Sequence, residues 1–112
     1  MPANQQLKQE FNTVSDFLIA LGDPKRQQII ITLMQDHAFQ GLRVIDLIDS
    51  TQLSRPAISH HLKILKQVGL IDVRSEGTKN YYFLVQDTTQ IQQLQRLLTH
   101  ITTLIQENHA HD

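Results

Sequence analysis

The stretch LSRPAISHHLKIL at residues 53–65, followed by VGLI at residues 68–71, decides the fold. Ser54 can cap the N-terminus of a helix. Pro56 then lies in the first turn, where its missing N–H leaves no intrahelical hydrogen bond unmade. Gly69 is the type of residue that commonly ends a helix. The sequence therefore predicts one helix between Ser54 and Gly69.

This predicted helix has two unlike faces. At about 100° per residue, Ile58, Leu62 and Leu65 fall on one narrow apolar stripe. The opposite face carries the following residues: Pro56, Ser59, His60, Lys63 and Gln67. A helix in the major groove of DNA needs small or planar polar side chains for base edges and a cation for phosphate. The pattern fits such a helix, and it also fits an ordinary amphipathic surface helix.

The segment before this helix favours the first interpretation. Residues 42–48 form a short apolar stretch, and the polar residues 49–52 separate it from Ser54. A short helix, a tight turn and a second helix in this order are typical of the helix-turn-helix motif of DNA-binding proteins. The sequence therefore predicts this motif over residues 42–67.

The segment after the helix predicts a β-hairpin. Residues 70–74 and 80–85 read as strands, and the connection between them contains Gly77, a residue that hairpin loops favour. A hairpin directly after a recognition helix is called a wing. We place Arg74 and Lys79 near its tip, where they would contact phosphate or the minor groove.

These segments resemble the ArsR/SmtB family of bacterial winged-helix repressors. The resemblance covers about residues 14–86 and rests on LGDPKR at 21–26, SHHLK at 59–63, GLI at 69–71, Arg74, EG at 76–77 and YFL at 82–84. It implies a homodimer that binds a palindromic operator and leaves it when an inducer changes the packing of the last helices. Metals, metalloids or oxidised thiols are the inducers of many members, and several members have none known.

Length and composition agree with this class. A chain of 112 residues with 40% hydrophobic content is expected to form one domain with a small core. The N-terminus lacks the pattern of a signal peptide, and no apolar run approaches the roughly 18 residues of a membrane span, so we expect a cytoplasmic bacterial protein. The absence of cysteine excludes disulfides and thiolate chemistry.

The distribution of charge matters more than its sum. The formal net charge is −1, but residues 54–82 contain five basic and two acidic residues. Positive charge is therefore concentrated in the predicted recognition helix and wing, where DNA phosphates would lie.

Two helices are predicted before the helix-turn-helix. The first has apolar residues at steps of three and four and ends at Gly22; they are Leu7, Phe11, Val14, Leu18 and Leu21. Asp23 and Pro24 then supply the N-cap and first turn of the second helix. Its inward face is predicted to consist of Ile29, Ile30, Leu33 and Met34.

A long helix is predicted at the C-terminal end. Residues 87–90 resemble a capping box with Asp87 as the N-cap, and the apolar stripe that follows consists of Ile91, Leu94, Leu97, Leu98, Ile101, Leu104 and Ile105. One helix on this small core does not need so much apolar surface. We therefore predict that the first and last helices, residues 1–22 and 87–108, form a dimer interface. The alternative is that they complete a monomeric core.

The expected architecture is mostly α-helical with a small β-hairpin, an α+β winged helix-turn-helix. It is one domain over residues 1–112, with the wing at residues 70–85.

The polar face of the recognition helix supplies the predicted DNA contacts. Ser59 and His60 are the choices for base edges, and Pro56 lies beside them on the same face. Arg55 and Lys63 would bind the backbone, with guanine as an alternative target for Arg55. Two further residues have equally good structural explanations. Ser54 caps the helix but can also hold a phosphate, and His61 lies at the margin of the apolar stripe, where it would either contact DNA or orient the helix.

The sequence lacks one family metal site and half of another. In the family, one site uses a Cys-Val-Cys element, and the matching positions here are Arg43 and Ile45, which do not ligate soft metals. A second site lies on the last helix. Asp87 and His100 match two of its four ligands, but the other two positions hold Thr89 and Thr103, and threonine is not a zinc ligand.

Tail residues could replace the missing ligands only across a dimer or by folding back. They are Glu107, His109, His111 and Asp112. Glu107 is seven residues from His100, roughly 10 Å along a helix, which is too far to share one ion within a single chain. We therefore expect no cofactor. A zinc site with Asp87, His100, His109 and His111 as candidates remains the alternative to solvated histidines.

Three classes of function fit the chain unequally. A sequence-specific DNA-binding repressor is the main prediction. A winged-helix module that binds protein instead of DNA would not need the clustered positive charge. An enzyme is disfavoured, because the adjacent His60 and His61 diverge by about 100° on a helix and no nucleophile or carboxylate pair accompanies them.

Overall fold

Five helices and two strands follow one another in the computed structural model, which describes residues 3–36 and 40–110. They are α1 (Ala3–Leu21), α2 (Pro24–Met34), α3 (Val44–Thr51), α4 (Arg55–Gln67), β1 (Ile71–Glu76), β2 (Lys79–Leu84) and α5 (Thr89–Ala110). They form two compact units. The central unit is Leu18–Asp87, and the terminal-helix unit consists of the described parts of residues 1–17 and 88–112.

The starts of α2 and α4 are set by the capping residues that the sequence predicts. Asp23 Oδ1 accepts hydrogen bonds from the backbone N–H groups of Lys25 at 2.8 Å and Arg26 at 3.1 Å. Ser54 Oγ accepts one from the N–H of Ala57 at 3.3 Å. A proline lies in the first turn of each helix, where its missing donor costs nothing. Both predicted starts are confirmed.

Helix α3 is longer than its apolar stretch suggested. The sequence treated residues 49–52 as the polar connection, but the helix continues to Thr51. It ends where Gln52 adopts a left-handed φ of 61°. Only residues 52–54 remain as the turn before α4, which is the short connection of a helix-turn-helix.

The β-hairpin is also tighter than predicted. Its antiparallel register runs from Ile71 opposite Leu84 to Glu76 opposite Lys79. Gly77 has a φ of 62°, a left-handed conformation that glycine adopts without strain at the first central position of a two-residue turn. The ladder therefore continues into residues that the sequence assigned to the loop.

A backbone connection that the sequence did not indicate joins the hairpin to the start of α3. Leu42 and Tyr82 exchange two N–H to carbonyl hydrogen bonds, each 2.8 Å long. Gly41, just before Leu42, has a φ of 98°, and a Cβ placed there would lie 2.9 Å from the Cβ of Tyr81. The role of Gly41 is therefore to permit this close approach and not only to end a loop.

The core of the central unit lies between α2, α3, α4 and β1. Its fully buried side chains are Ile29, Leu33, Leu47, Ile58, Leu62, Leu65 and Ile71. The predicted apolar stripe of α4 is confirmed in full. On α2 the prediction for Met34 is wrong, because its side chain is exposed at the last residue of the helix.

The terminal-helix unit contains most of α1 and all of α5. Its buried apolar side chains are Val14, Phe17 and Leu97. Phe11, on the apolar stripe of the helix that the sequence assigned to a dimer interface, is exposed. Helix α5 begins at Thr89, two residues after the predicted cap Asp87, and the carbonyl of Thr88 accepts a hydrogen bond from the N–H of Gln92 at 2.9 Å.

Several apolar side chains on α5 stay in solvent. The exposed ones are Ile91, Leu98 and Ile105, and their spacing of seven residues puts them on one face of the helix. Between residues 3 and 36 and between residues 40 and 110, no helix has both the length and the apolar character needed to cross a membrane.

Candidate nucleic-acid interface

The polar face of α4 is open to solvent. The side chains that the sequence assigned to DNA contact and that lie exposed on it are Ser54, Arg55, Pro56, Ser59, His60 and Lys63. They stand opposite the fully buried Ile58 and Leu65, which fix the helix to the core. The structure therefore presents together two hydrogen-bonding side chains, two cations and the N-terminal turn of a helix.

His61 is a correction to the predicted set of contacts. Only 8% of its surface is exposed, and its Nδ1 lies 3.3 Å from Nη1 of the buried Arg26. Burial lowers the pKa of His61 because an imidazolium loses hydration there. The side chain therefore packs inward on α4, which favours the orienting role of His61 over the DNA contact.

Arg74 is a second correction. It lies within β1, opposite Tyr81, and not at the tip of the hairpin. Its guanidinium donates to Glu76 Oε1 at 2.9 Å and to the carbonyl of Gln40 at 2.8 Å, and it stacks over the Tyr81 ring. These contacts use Arg74 to hold the hairpin, so a phosphate would compete with an existing carboxylate partner. Lys79, in contrast, is exposed beside the turn.

A small basic cleft lies between the start of α3, the start of α4 and the hairpin tip. Its volume is about 140 Å³, and the following residues line it: Arg43, Val44, Ile45, Arg55, Thr78, Lys79 and Asn80. Within residues 3–36 and 40–110, no carboxylate forms an ion pair with Arg43, Arg55 or Lys79. Asp46 Oδ2 accepts a hydrogen bond from the N–H of Arg43, and Glu76 is paired with Lys79 in the hairpin register. Three cations that form no direct ion pair here make a site that suits a phosphate group.

Arg43 is the residue of this cleft that sequence reasoning missed. It was considered only as the position where the family carries a metal-binding cysteine. Its place immediately before the first helix of a helix-turn-helix was the available signal, because that helix crosses the DNA backbone in such motifs. The local sequence predicts the hairpin with Lys79 near its tip, but it does not show that this tip lies beside Arg43.

The candidate metal ligands that lie in the described residues are not brought together with a third ligand. His100 Nδ1 lies 2.9 Å from Glu10 Oε1, with both side chains half-buried in the terminal-helix unit. His109 is exposed near the end of α5, and His111 lies outside the described residues. In the part of the chain that the structure describes, no three His, Asp or Glu side chains cluster to hold an ion. Threonine at positions 89 and 103 gives a donor set that does not fit zinc.

Comparisons with known proteins agree with this geometry. The family model described as bacterial regulatory protein, arsR family, matches residues 23–73, which include α2, α3 and α4. An uncharacterized HTH-type transcriptional regulator of Methanocaldococcus jannaschii is 35% identical over 79 residues, covering 70% of this chain and 85% of that protein. The transcriptional repressor SdpR of Bacillus subtilis is 37% identical over 73 residues, covering 65% and 74% respectively.

The fold has close relatives among solved structures. Reduced HlyU from Vibrio cholerae superposes with a TM-score of 0.64 at 26% identity, covering 80% of this chain and 90% of that one. The likeness in sequence and in fold therefore includes the helix-turn-helix that carries the exposed polar face.

Proposed function

Because the chain belongs to the ArsR family of bacterial regulatory proteins and is a DNA-binding transcriptional repressor, we propose that it acts as a homodimer on an inverted-repeat operator. The observation that carries this proposal is the exposed polar face of α4 beside a basic cleft whose cations form no ion pair among the described residues. In a two-fold dimer, two copies of α4, the recognition helix, would enter successive major grooves about 10 bp apart. The place of action would be the cytoplasm, where bacterial DNA is found.

The residues of this surface divide into readers and clamps. Ser59 and His60 lie at the middle of the exposed face and would donate to or accept from base edges. Lys63 would bind the backbone one turn further along the helix. Arg43 and Lys79 would hold one phosphate in the basic cleft, and Arg55 lines that cleft too, which favours its backbone role over guanine reading.

Selection of duplexes from a random-sequence library by the purified chain tests this function. We expect an enriched inverted repeat, because each protomer presents the same reading face and the dimer is symmetric. Recovery of no preferred sequence, or of an asymmetric single site, would contradict the proposal.

The division between readers and clamps predicts two kinds of variant. His60→Ala should cost about 1–3 kcal/mol of binding free energy at particular base pairs only. Lys79→Ala or Arg43→Ala should instead weaken binding to all duplexes alike, and should reduce the slope of log affinity against log salt concentration by about 1. Fluorescence anisotropy with the selected duplex and its single-base variants, over a range of salt, measures both quantities.

A charge-matched control separates these clamps from a general loss of positive charge. Lys8 on α1 is also an exposed lysine, and Lys8→Ala should leave the affinity and the salt slope unchanged. An equal effect of Lys8→Ala and Lys79→Ala would mean that the basic cleft is not a phosphate site.

We propose that repression requires no metal and no catalytic step. The relatives are transcriptional regulators, a non-enzymatic class, and the donor set around His100 does not suit zinc. We expect the affinity for the selected duplex to be the same in zinc and in a chelator, as measured by anisotropy. A zinc-dependent loss of affinity that disappears in His100→Ala would instead establish the last-helix metal site.

A further inference from the structure

Arg26 is a buried cation whose hydrogen bonds join three parts of the central unit. Only 7% of its surface is exposed. Its Nε donates to the carbonyl of Ala20 at 2.9 Å and its Nη2 to the carbonyl of Ile19 at 3.1 Å, both in the last turn of α1. Its Nη1 lies 3.3 Å from Nδ1 of His61. The guanidinium, which belongs to the first turn of α2, therefore connects the end of α1 to the recognition helix.

The contact with His61 constrains the protonation of the imidazole. A guanidinium has only donors and stays charged throughout the accessible pH range. Nδ1 of His61 must therefore be the acceptor, which leaves the proton of the neutral ring on Nε2. A protonated His61 would offer no acceptor and would place a second positive charge beside Arg26.

The charged groups around His61 come from two elements. From α2 and its cap, Arg26, Lys25 and Asp23 face it, and from α4 itself, His60 does, with 5.5 Å between the two ring centroids. Burial is the largest cause that lowers the pKa of His61 below 6.5, Asp23 opposes this shift, and Arg26, His60 and Lys25 add to it. The surroundings thus favour the neutral ring on which the Arg26 contact depends.

The Arg26–His61 hydrogen bond depends on the orientation of α4, whereas the apolar packing of this helix does not. Ile58, Leu62 and Leu65 attach the helix to the core through hydrophobic burial, which depends on area and not on direction. A hydrogen bond weakens steeply when its angle changes. His61 directly follows His60 along the helix, so a rotation of α4 that breaks the contact also moves the side chains that face DNA.

We propose that Arg26 is a positioning residue for DNA recognition, which acts through neutral His61 to fix the rotation of the recognition helix, and that protonation of His61 lowers operator selectivity. This inference rests on the proposed function. It assigns to the LGDPKR motif at residues 21–26 a part in operator reading, although Arg26 itself is buried and does not face solvent.

The test compares selectivity at two pH values in the wild type and three variants. Selectivity is the ratio of affinities for the selected duplex and a scrambled duplex, so that a general gain of positive charge at low pH cancels. In the wild type we expect it to fall between about pH 7.5 and about pH 5.5, by less than about tenfold because the pKa of His61 is lowered below 6.5. His61→Gln keeps an acceptor for Arg26 but does not titrate, so its selectivity should stay high at both pH values.

The remaining variants complete the comparison. His61→Leu has no acceptor and should show reduced selectivity at both pH values. His60→Gln changes a proposed base contact, so its selectivity should be lower at both pH values, but the relative loss between the two pH values should equal that of the wild type. A wild-type level of selectivity in His61→Leu, or an equal pH-dependent loss in wild type and His61→Gln, would overturn the proposal.

Thermal unfolding tests the burial of neutral His61 without DNA. Because the pKa of His61 is lower in the folded protein, the unfolded chain takes up the proton first as the pH falls below 6.5, and stability declines until the pH reaches the folded-state pKa. The wild type should therefore lose more Tm than His61→Gln over this range. Equal losses would overturn the neutral, buried state of His61 on which the proposal depends, whereas failure to select any duplex would overturn only the proposed function.

Discussion

Replacing Leu98 and Ile105 together with glutamate is expected to convert the proposed homodimer to a monomer. Both side chains are large, apolar and mostly in solvent, at 54% and 62% exposure, and they lie two helical turns apart on one face of α5. Four carboxylates in a two-fold interface would be desolvated without partners. A dimer that holds two half-sites gains about 10²–10⁴ in affinity over one protomer, and this factor should be lost. Sedimentation velocity and anisotropy with the selected duplex measure the two effects.

The control uses the next residue along the helix in each case. Thr99 and Gln106 are also exposed, and Thr99→Glu with Gln106→Glu adds the same charges at the same spacing on a face rotated by about 100°. That variant should remain dimeric. A Leu98/Ile105 variant that stays dimeric and binds the duplex normally would show that this face of α5 is not the interface.

Replacing Ile29 with alanine is expected to lower the free energy of unfolding by about 2–5 kcal/mol. Its side chain is 0% exposed within the core of the central unit, so truncation leaves a cavity between α2 and the helix-turn-helix. Ile31 is two residues away on the same helix and is 54% exposed. The identical substitution there should change stability by less than about 0.5 kcal/mol. Urea denaturation of both variants gives the comparison, and equal effects would contradict the observed burial.

The N-cap residues of α2 and α4 and the buried apolar face of α4 could be predicted from the sequence. Ser54 and Asp23 cap their helices as expected, and the spacing of Ile58, Leu62 and Leu65 correctly identified the buried side of α4. These features succeed because a cap or a stripe depends on residues within one or two turns.

The errors concern side chains whose partners are distant in the chain. His61 turned inward because Arg26, 35 residues earlier, offers a donor. The guanidinium of Arg74 donates a hydrogen bond to the carbonyl of Gln40, 34 residues earlier in the chain. Periodicity contains no information about such partners, and the same limit hid the cleft that Arg43 shares with Lys79.

The apolar face of α5 is a different case. The sequence indicated more apolar surface there than one small core can bury, and Ile91, Leu98 and Ile105 do remain exposed in the structure. Composition can thus predict that a surface is unusual. It does not identify what covers that surface, because the partner is not encoded in the helix itself, and the homodimer remains a proposal.

The paired hydrogen bonds between Leu42 and Tyr82 have a consequence for the thermodynamics of binding. They tie the base of the hairpin to the residue that precedes Arg43, so the backbone on both sides of the basic cleft is preorganised before any ligand arrives. Docking onto a phosphate would then restrict mainly the rotamers of long cationic side chains, which costs less conformational entropy than ordering a flexible loop.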